Sequence, residues 1–170
     1  VDRSGPFTDR PASASSQPPG PVARWGALAQ MPTPRARLAV VAYRDRIYAI
    51  GGESLSGISS VVEIYMPDED DWRRGADMPT AVANVGAAEL ASRLYVPGGT
   101  TADGQISDLL QVYDPSADGE GVWTSAAPLP KGLSAYAIAA HEDALYLFGG
   151  WDGRSYITTT YKYDLKQDIW

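Results

Sequence analysis

The chain repeats one pattern of apolar and polar residues three times. Each copy opens with a run of small apolar residues, at 38–43, 85–90 and 136–140, followed by a short polar turn at 44–46, 91–93 and 141–143. A second apolar run then ends in a pair of glycines, at 47–52, 94–99 and 145–150. Short apolar runs bounded by turn residues are typical of strands packed on both faces, so each copy is predicted to contain a tight hairpin.

Two more strands are predicted in each copy. A third run lies at 61–65, 109–113 and 159–163, an acidic turn follows it, and a tryptophan opens the fourth strand. The marker residues recur about 50 residues apart, and we interpret them as structural residues that hold the repeats together. They are Trp25, Trp72, Trp123 and Trp170, the glycines Gly51, Gly52, Gly98, Gly99, Gly149 and Gly150, and the tyrosines Tyr48, Tyr95 and Tyr146. The pattern predicts an all-β protein built from four-stranded antiparallel blades.

These residues resemble the kelch repeat, in which paired glycines follow an aromatic strand and a tyrosine and a tryptophan follow at set distances. The third unit is the best match, with Gly-Gly-Trp-Asp-Gly-Arg-Ser-Tyr at 149–156 and Tyr-Lys-Tyr-Asp at 161–164. Pro97 and the Met-Pro at 66–67 depart from the pattern. The resemblance covers residues 25–170 and implies a β-propeller. Most proteins of this family bind other proteins, and a few are enzymes.

The number of repeats sets a constraint on the architecture. We place the three units at approximately residues 25–71, 72–122 and 123–170. Propellers have about four to eight blades, so three blades form an incomplete ring. We expect either a segment of a longer kelch protein, our preferred interpretation, or half of a six-bladed ring that a second copy completes.

Composition narrows the range of partners. The chain has 14 Lys and Arg against 21 Asp and Glu, a net charge of −7, which disfavours nucleic acid. No apolar run approaches the length needed to span a bilayer, so we expect no membrane insertion by this segment. The absence of cysteine rules out disulfides and Cys-ligated metals. One histidine and no cysteine also exclude the copper site of the kelch-type oxidases, which has His and Tyr ligands and a cross-linked Cys.

Residues 1–24 are rich in proline and serine and poor in large apolar side chains, which predicts a disordered linker. This linker and the lack of cysteine favour an extracytoplasmic bacterial protein without excluding the cytosol.

The sequence offers little for catalysis. The one histidine, His141, falls in a predicted turn, and the acidic run at 68–71 lacks the spacing of a calcium loop. We therefore assign no catalytic residue, metal or cofactor. Glu53, Asp103 and Asp152 follow the three glycine pairs on one rim, which leaves open a sugar-acting enzyme of the kind represented by the sialic-acid epimerases, which some kelch propellers resemble.

The candidate ligand-binding residues are those that vary where their neighbours repeat. Arg37, Asn84 and Ala135 lie at the same distance before each glycine pair, at a position that in protein-binding kelch domains often supplies an arginine to the ligand. An arginine at this position clamps a carboxylate well, although Arg37 pairing with an acid of the next blade is an equal alternative. The full set is Arg35, Arg37, Asn84, Tyr136, Trp151 and Arg154.

We therefore expect a non-enzymatic module that recognises a protein or peptide ligand with the loops of one rim. A sugar-acting enzyme and a scaffold half that forms a six-bladed ring as a homodimer remain as alternatives.

Overall fold

The computed structural model describes residues 25–116 and 119–170, and every regular element among them is a β-strand. The linker predicted at 1–24 lies outside the described residues. The strands are β1 (Ala39–Tyr43), β2 (Arg46–Ile50), β3 (Glu53–Ser54), β4 (Gly57–Ile58), β5 (Val62–Met66), β6 (Asp71–Arg74), β7 (Ala88–Leu90), β8 (Arg93–Pro97), β9 (Leu110–Asp114), β10 (Val122–Ala126), β11 (Ala137–His141), β12 (Ala144–Phe148) and β13 (Thr160–Asp164). The described residues contain no helix long and apolar enough to cross a membrane.

The strands form three successive antiparallel blades, as the repeat pattern predicts. Blade 1 has the order β1-β2-β5-β6, blade 2 the order β7-β8-β9-β10, and blade 3 contains β11, β12 and β13. An isolated bridge between Asp164 and Ile169 begins a fourth strand in blade 3. The predicted all-β kelch-type architecture of three blades is confirmed.

Each blade starts in the middle of one sequence unit and ends in the next, because Trp72 and Trp123 lie in the outer strands β6 and β10. In β6 and β10 the residues Trp72 and Trp123 pair with Tyr65 and Tyr113 of the preceding strand. The ring centroids in both pairs are 5.0 Å apart. Alternation along the strands therefore keeps the two large rings of each blade on the same face.

The core lies between the blades. Tyr48 of blade 1 meets Tyr113 of blade 2 with centroids 6.1 Å apart, and Tyr95 of blade 2 meets Tyr163 of blade 3 at the same distance. The indole Nε1 of Trp123 donates to the carbonyl oxygen of Ala76 in the preceding blade at 2.9 Å. Tyrosine and tryptophan thus fill the wedge between neighbouring blades, since large rings bury much area for few lost rotamers.

Two of the predicted structural aromatics, Trp25 and Tyr146, do not lie between two blades. Trp25 is 92% exposed, because the described residues contain no third strand with a tyrosine for it to pack on. Tyr146 is only half-buried and stacks on Phe148 of its own blade. Both residues lie at the ends of the three described blades, where residues 25–116 and 119–170 supply no further blade to cover them.

The glycine pairs lie where one blade approaches the next. Gly98 has a φ of +64°, and a Cβ built on it would lie 2.2 Å from the carbonyl oxygen of Leu133. The next residue, Gly99, donates its N–H to that same oxygen at 2.7 Å. Glycine is required here both by the left-handed backbone and by the approach of the neighbouring blade.

Candidate functional site

Arg37, Asn84 and Ala135 form a continuous line at the inner edge of the three blades. Their φ angles are +57°, +56° and +53°, a left-handed conformation that costs non-glycine residues energy and marks a constrained turn. The N–H of Asn84 donates to the carbonyl oxygen of Arg37 at 2.9 Å, and the N–H of Ala135 donates to that of Asn84 at 2.8 Å. Hydrogen bonds from blade to blade therefore bring the three equivalent positions together.

This line borders a surface pocket of about 390 Å³, which we call the rim pocket. Its lining combines residues from all three blades: Arg37, Asn84, Thr100, Gly104, Ile106, Ser134, Ala135, Trp151 and Tyr156. The Trp151 and Tyr156 rings lie 5.1 Å apart at an interplanar angle of 59°, and Tyr156 is 84% exposed. The pocket thus places a cation, an amide and two rings on one surface.

Arg37 is held by its own blade and still exposed. Its guanidinium Nη1 lies 2.8 Å from Oε2 of Glu53, and 60% of the Arg37 side chain is accessible to solvent. The bridge between Ala36 and Glu53 fixes this geometry. Because the contact uses one edge of the guanidinium fork and is solvated, an incoming carboxylate can compete with Glu53.

Arg35 is a structural residue, which corrects its place among the ligand-binding candidates. Its side chain is fully buried, its Nη2 lies 2.8 Å from Oε2 of Glu63, and its Nη1 donates to the carbonyl oxygens of Gly51 and Val61. Burial lowers the pKa of Arg35 from its ordinary value, while Glu63 opposes that shift. The guanidinium therefore has no surface to offer a ligand.

Tyr136 also lies away from the ligand surface. Its hydroxyl donates to the carbonyl oxygen of Pro97 in the preceding blade and lies 3.4 Å from the Gly86 nitrogen. Burial raises the pKa of Tyr136. The hydroxyl joins blades 2 and 3, so the residue is better explained by packing than by recognition.

The loop after the third glycine pair is internally braced. Asp152 accepts the backbone N–H groups of Arg154 and Ser155 at 2.9 and 2.8 Å, and Nζ of Lys131 lies 2.5 Å from its other oxygen. Hydrogen bonding by Lys131 is the largest of the effects that hold the pKa of Asp152 well below its usual range. Arg154 lies beside the rim pocket, in an adjoining groove with Gln105. Trp151 lines the pocket and Arg154 flanks it.

The rim carboxylates are each engaged by a neighbour in their own blade. Glu53 pairs with Arg37, Asp152 with Lys131, and Asp103 accepts the hydroxyl of Thr101 at 2.5 Å. Residues 25–116 and 119–170 contain no group of three or more His, Asp or Glu side chains arranged to hold a metal ion. Asp70 of the acidic run accepts the Ala29 N–H and the Tyr65 hydroxyl, which is a structural use of that turn.

Thr100, Ile106 and Tyr156 line the pocket but are not among the six ligand-binding residues predicted from the sequence. Thr100 directly follows the second glycine pair, at the position held by Glu53 and Trp151 in the other repeats. In every repeat this residue bridges to the residue just before the left-handed turn, at Ala36, Ala83 and Ser134. The first residue after each glycine pair was therefore the available signal.

Comparison with known proteins places the chain among repeat proteins. The family model described as the Kelch motif matches residues 34–79 and 132–170. The chain is 32% identical over 147 residues to Kelch-like protein 35 of Mus musculus, covering 86% of this chain and 24% of that protein. It is 36% identical over 132 residues to Kelch-like protein 25 of Homo sapiens (72% and 22% covered). It is 30% identical over 134 residues to Beta-scruin of Limulus polyphemus (74% and 14% covered). The chain thus spans a quarter or less of the length of these relatives.

Proposed function

Since the chain belongs to the kelch-repeat family, we propose that it is a protein-interaction module that binds a segment of a partner protein in the rim pocket. The rim location and the residues involved are our proposal. The relatives named above come from animals, so the bacterial source favoured by the sequence stays a prediction.

One observation carries this proposal: positions that vary between repeats converge on a single pocket. Arg37, Asn84 and Trp151 come from three different blades and all line it. Neighbouring residues serve packing instead, as the buried Val82 and Leu133 do. A group of varying positions gathered on one surface is what a recognition site on a repeated scaffold requires.

The pocket chemistry indicates the kind of ligand. Arg37 offers a planar, mostly exposed cation, and the amide of Asn84 lies beside it, with Nδ2 3.3 Å from the Thr100 hydroxyl. Trp151 and Tyr156 supply rings of the types that dominate binding hot spots. A volume of about 390 Å³ holds a few side chains rather than a folded surface. We therefore expect an extended peptide segment with a carboxylate for Arg37 and an aromatic or aliphatic side chain for the rings.

The sugar-acting alternative gains no support from the carboxylates, since Glu53, Asp103 and Asp152 are each bonded within their own blade. It stays a prediction that turnover of a sialic-acid panel tests.

A peptide selection tests the binding proposal. A random peptide library is displayed on phage and selected on the purified chain, and the dominant peptide is synthesised and titrated by calorimetry. Arg37→Ala and Trp151→Ala are each expected to weaken binding about tenfold or more, because hot-spot truncations cost more than about 1.4 kcal/mol. Both variants are expected to melt near the wild-type temperature.

Arg73→Ala is the matched control, since Arg73 is an exposed arginine on the outer strand β6 that also pairs with a glutamate, Glu69. It is expected to bind like wild type. Selected peptides that bind Arg37→Ala and Trp151→Ala at full affinity contradict the rim site.

A further inference from the structure

A second surface pocket lies at the end of the blades opposite the rim pocket. Arg46 begins β2 and the first glycine pair directly follows it, so the two lie at opposite ends of blade 1. The pocket has a volume of about 360 Å³ and lies between the β1–β2 turn of blade 1 and the segment that follows β9 in blade 2. We call it the turn pocket, and its lining is Tyr43, Arg44, Asp45, Arg46, Tyr48, Pro115, Ser116 and Gly119.

Two arginines in this lining have weak partners or none among residues 25–116 and 119–170. The Arg44 guanidinium lies over the ring of Tyr43, with its Cζ 5.1 Å from the ring centroid, and forms no salt bridge with the described acids. Nε of Arg46 lies 3.9 Å from Oδ1 of Asp45, and both side chains are solvated. A contact of this length in water contributes little, so both guanidiniums are available to an anion.

The sequence of the repeats explains why Arg46 is available. Its equivalent in the second repeat, Arg93, pairs with Asp114, with Nε and Oδ2 3.7 Å apart. Arg46 and Arg93 come directly before residues that pair with the third-strand tyrosine, and Asp114 comes directly after that tyrosine. The first repeat has Met66 in place of Asp114, so blade 1 retains the arginine without the acid.

Arg44 is also particular to the first repeat. Its equivalents are Ala91 and Glu142, and the three residues share the same left-handed conformation, with φ angles of +53°, +49° and +52°. The turn therefore forms equally well with alanine, arginine or glutamate. The backbone gives no reason for an arginine here, which is what a binding residue on a repeated scaffold requires.

The pocket joins these cations to phenol groups. Tyr48 lines the pocket from the buried side, where burial raises its pKa and the neighbouring Arg46 opposes that shift. Tyr43 is half-buried and carries the Arg44 guanidinium on its ring. The whole chain has a net charge of −7, so it repels anions in general, and two arginines facing one pocket form a local exception.

We propose that the turn pocket binds a phosphate monoester, with the dianionic phosphoryl group between the guanidiniums of Arg44 and Arg46. Two guanidinium forks match the charge and the acceptor oxygens of a phosphoryl dianion. Asp45 is the carboxylate of the described lining, and its long contact with Arg46 yields to a doubly charged ligand. A volume of about 360 Å³ is in the range that holds a small organic molecule, so the organic group lies against Tyr43 and Pro115.

This site is separate from the proposed peptide site. The turn pocket and the rim pocket share no lining residue, and they lie at opposite ends of the blades. Failure of either proposal therefore leaves the other unaffected.

Calorimetric titration of the 170-residue chain with phenyl phosphate tests the proposal, at low salt and about pH 7.5, above the second phosphate pKa of about 6. The expected Kd is below about 1 mM. Phenyl sulfate has a similar shape and a single negative charge, and it is expected to bind about tenfold more weakly. Inorganic phosphate is also expected to bind more weakly, because it lacks the organic group. Equal affinity for any two of these ligands, or no heat with phenyl phosphate at millimolar concentration, would overturn the proposal.

Three variants locate the site. Arg44→Ala and Arg46→Ala are each expected to weaken phenyl phosphate binding about tenfold or more, since each removes a charged hydrogen-bond donor. Asp45→Asn is expected to strengthen it about threefold, because it removes the competing carboxylate. Arg73→Ala is the matched control: Arg73 is an exposed arginine of the same blade outside the pocket, and its removal is expected to leave binding unchanged.

Thermal melting verifies that each variant is folded, and Arg46→Gln replaces Arg46→Ala if the alanine variant is not. A capped phosphoserine tripeptide separates two sources of the phosphoryl group. Tighter binding than phenyl phosphate assigns the site to a phosphorylated side chain of a partner, and weaker binding assigns it to a free ester. Unchanged binding in both arginine variants, or a loss in Arg37→Ala instead, contradicts the turn pocket as the site.

Discussion

Arg35 and Glu63 form a buried ion pair, with Nη2 and Oε2 2.8 Å apart and side-chain exposures of 0% and 3%. At the same repeat positions the second unit has Val82 and Gln111, and both are buried. Gln111 reaches the backbone of Thr80 with both amide atoms, at 2.9 and 3.0 Å, whereas Glu63 accepts the hydroxyl of Thr33. The chain thus fills equivalent buried positions with an ion pair in the first repeat and with uncharged residues in the second.

The uncharged residues of the second repeat predict what happens when Arg35 and Glu63 are both replaced. Arg35→Val alone is expected to lower the free energy of unfolding by about 3 kcal/mol or more, because it leaves the Glu63 carboxylate buried without its partner. Arg35→Val with Glu63→Gln installs the pair of the second repeat and is expected to lie within about 1 kcal/mol of wild type, since neutral replacements of buried ion pairs are often neutral or stabilising. Urea unfolding of the two variants measures the difference. Equal losses in the single and double variants contradict the account.

Trp123 is expected to be a stability residue that joins blades 1 and 2. Trp123→Ala removes its contact with Tyr113 and its hydrogen bond to Ala76, and is expected to cost about 3 kcal/mol, the low end for a large core truncation, because the ring is half-buried. Trp25→Ala is the matched control: its ring is 92% exposed, so a change within about 0.5 kcal/mol is expected. Thermal melting compares them, and similar losses in both variants argue against the assignment.

A side chain at Gly98 is opposed both by the left-handed backbone and by the close approach of blade 3, and two variants separate these contributions to stability. Gly104 has a φ of +81° and open space around a built Cβ, so Gly104→Ala is expected to cost only the left-handed strain, about 1 kcal/mol. Gly98→Ala adds a clash with the Leu133 carbonyl oxygen and is expected to cost about 3 kcal/mol or more. Chemical denaturation of both variants measures the excess. Equal costs would show that blade approach contributes nothing.

The Tyr136 hydroxyl is expected to contribute to stability and not to binding. Tyr136→Phe leaves the carbonyl oxygen of Pro97 without this donor and is expected to cost about 1–2 kcal/mol. Tyr156→Phe serves as the control, because Tyr156 is 84% exposed and its loss of a hydroxyl is expected to leave unfolding unchanged. The peptide affinity of Tyr136→Phe is expected to equal that of wild type, and a lower affinity with unchanged unfolding would restore Tyr136 as a ligand residue.

The blades could be predicted because their signals repeat. The predicted third strands at 61–65, 109–113 and 159–163 lie one residue from β5, β9 and β13, since each apolar run is fixed three times over by the same tyrosine and tryptophan. Asn84 and Arg37 could be placed together for the same reason, by counting back from the glycine pairs. Both predictions therefore depended on the position of each residue within the repeat.

The positions of Arg35 and Tyr136 in the fold have one physical cause. Chemical type alone suggested that both were ligand residues, yet their equivalents are Val82 and Leu133 for Arg35, and Leu38 and Val85 for Tyr136. Positions that are apolar in the other repeats pack inside the fold, so a polar residue there lies against a hydrogen-bond partner. The partner of Arg35, Glu63, lies 28 residues away, and only the fold brings the two together.

Acid is expected to loosen the junction between blades 2 and 3 through Asp168. Its carboxylate accepts the N–H of Ala127 at 2.8 Å and the hydroxyl of Tyr163 at 2.7 Å, and these bonds, the first most of all, hold the pKa of Asp168 below its ordinary value. A depressed folded-state pKa stabilises the fold above the unfolded-state value of about 3.9, and that contribution is lost as the pH falls through the folded-state pKa. Asp168→Asn removes this titration, so the variant is expected to have a lower urea midpoint than wild type at pH 7. At pH 3 the difference between the two midpoints is expected to be smaller. Measuring both midpoints at the two pH values checks this, and a gap that stays constant between them assigns the acid sensitivity to other carboxylates.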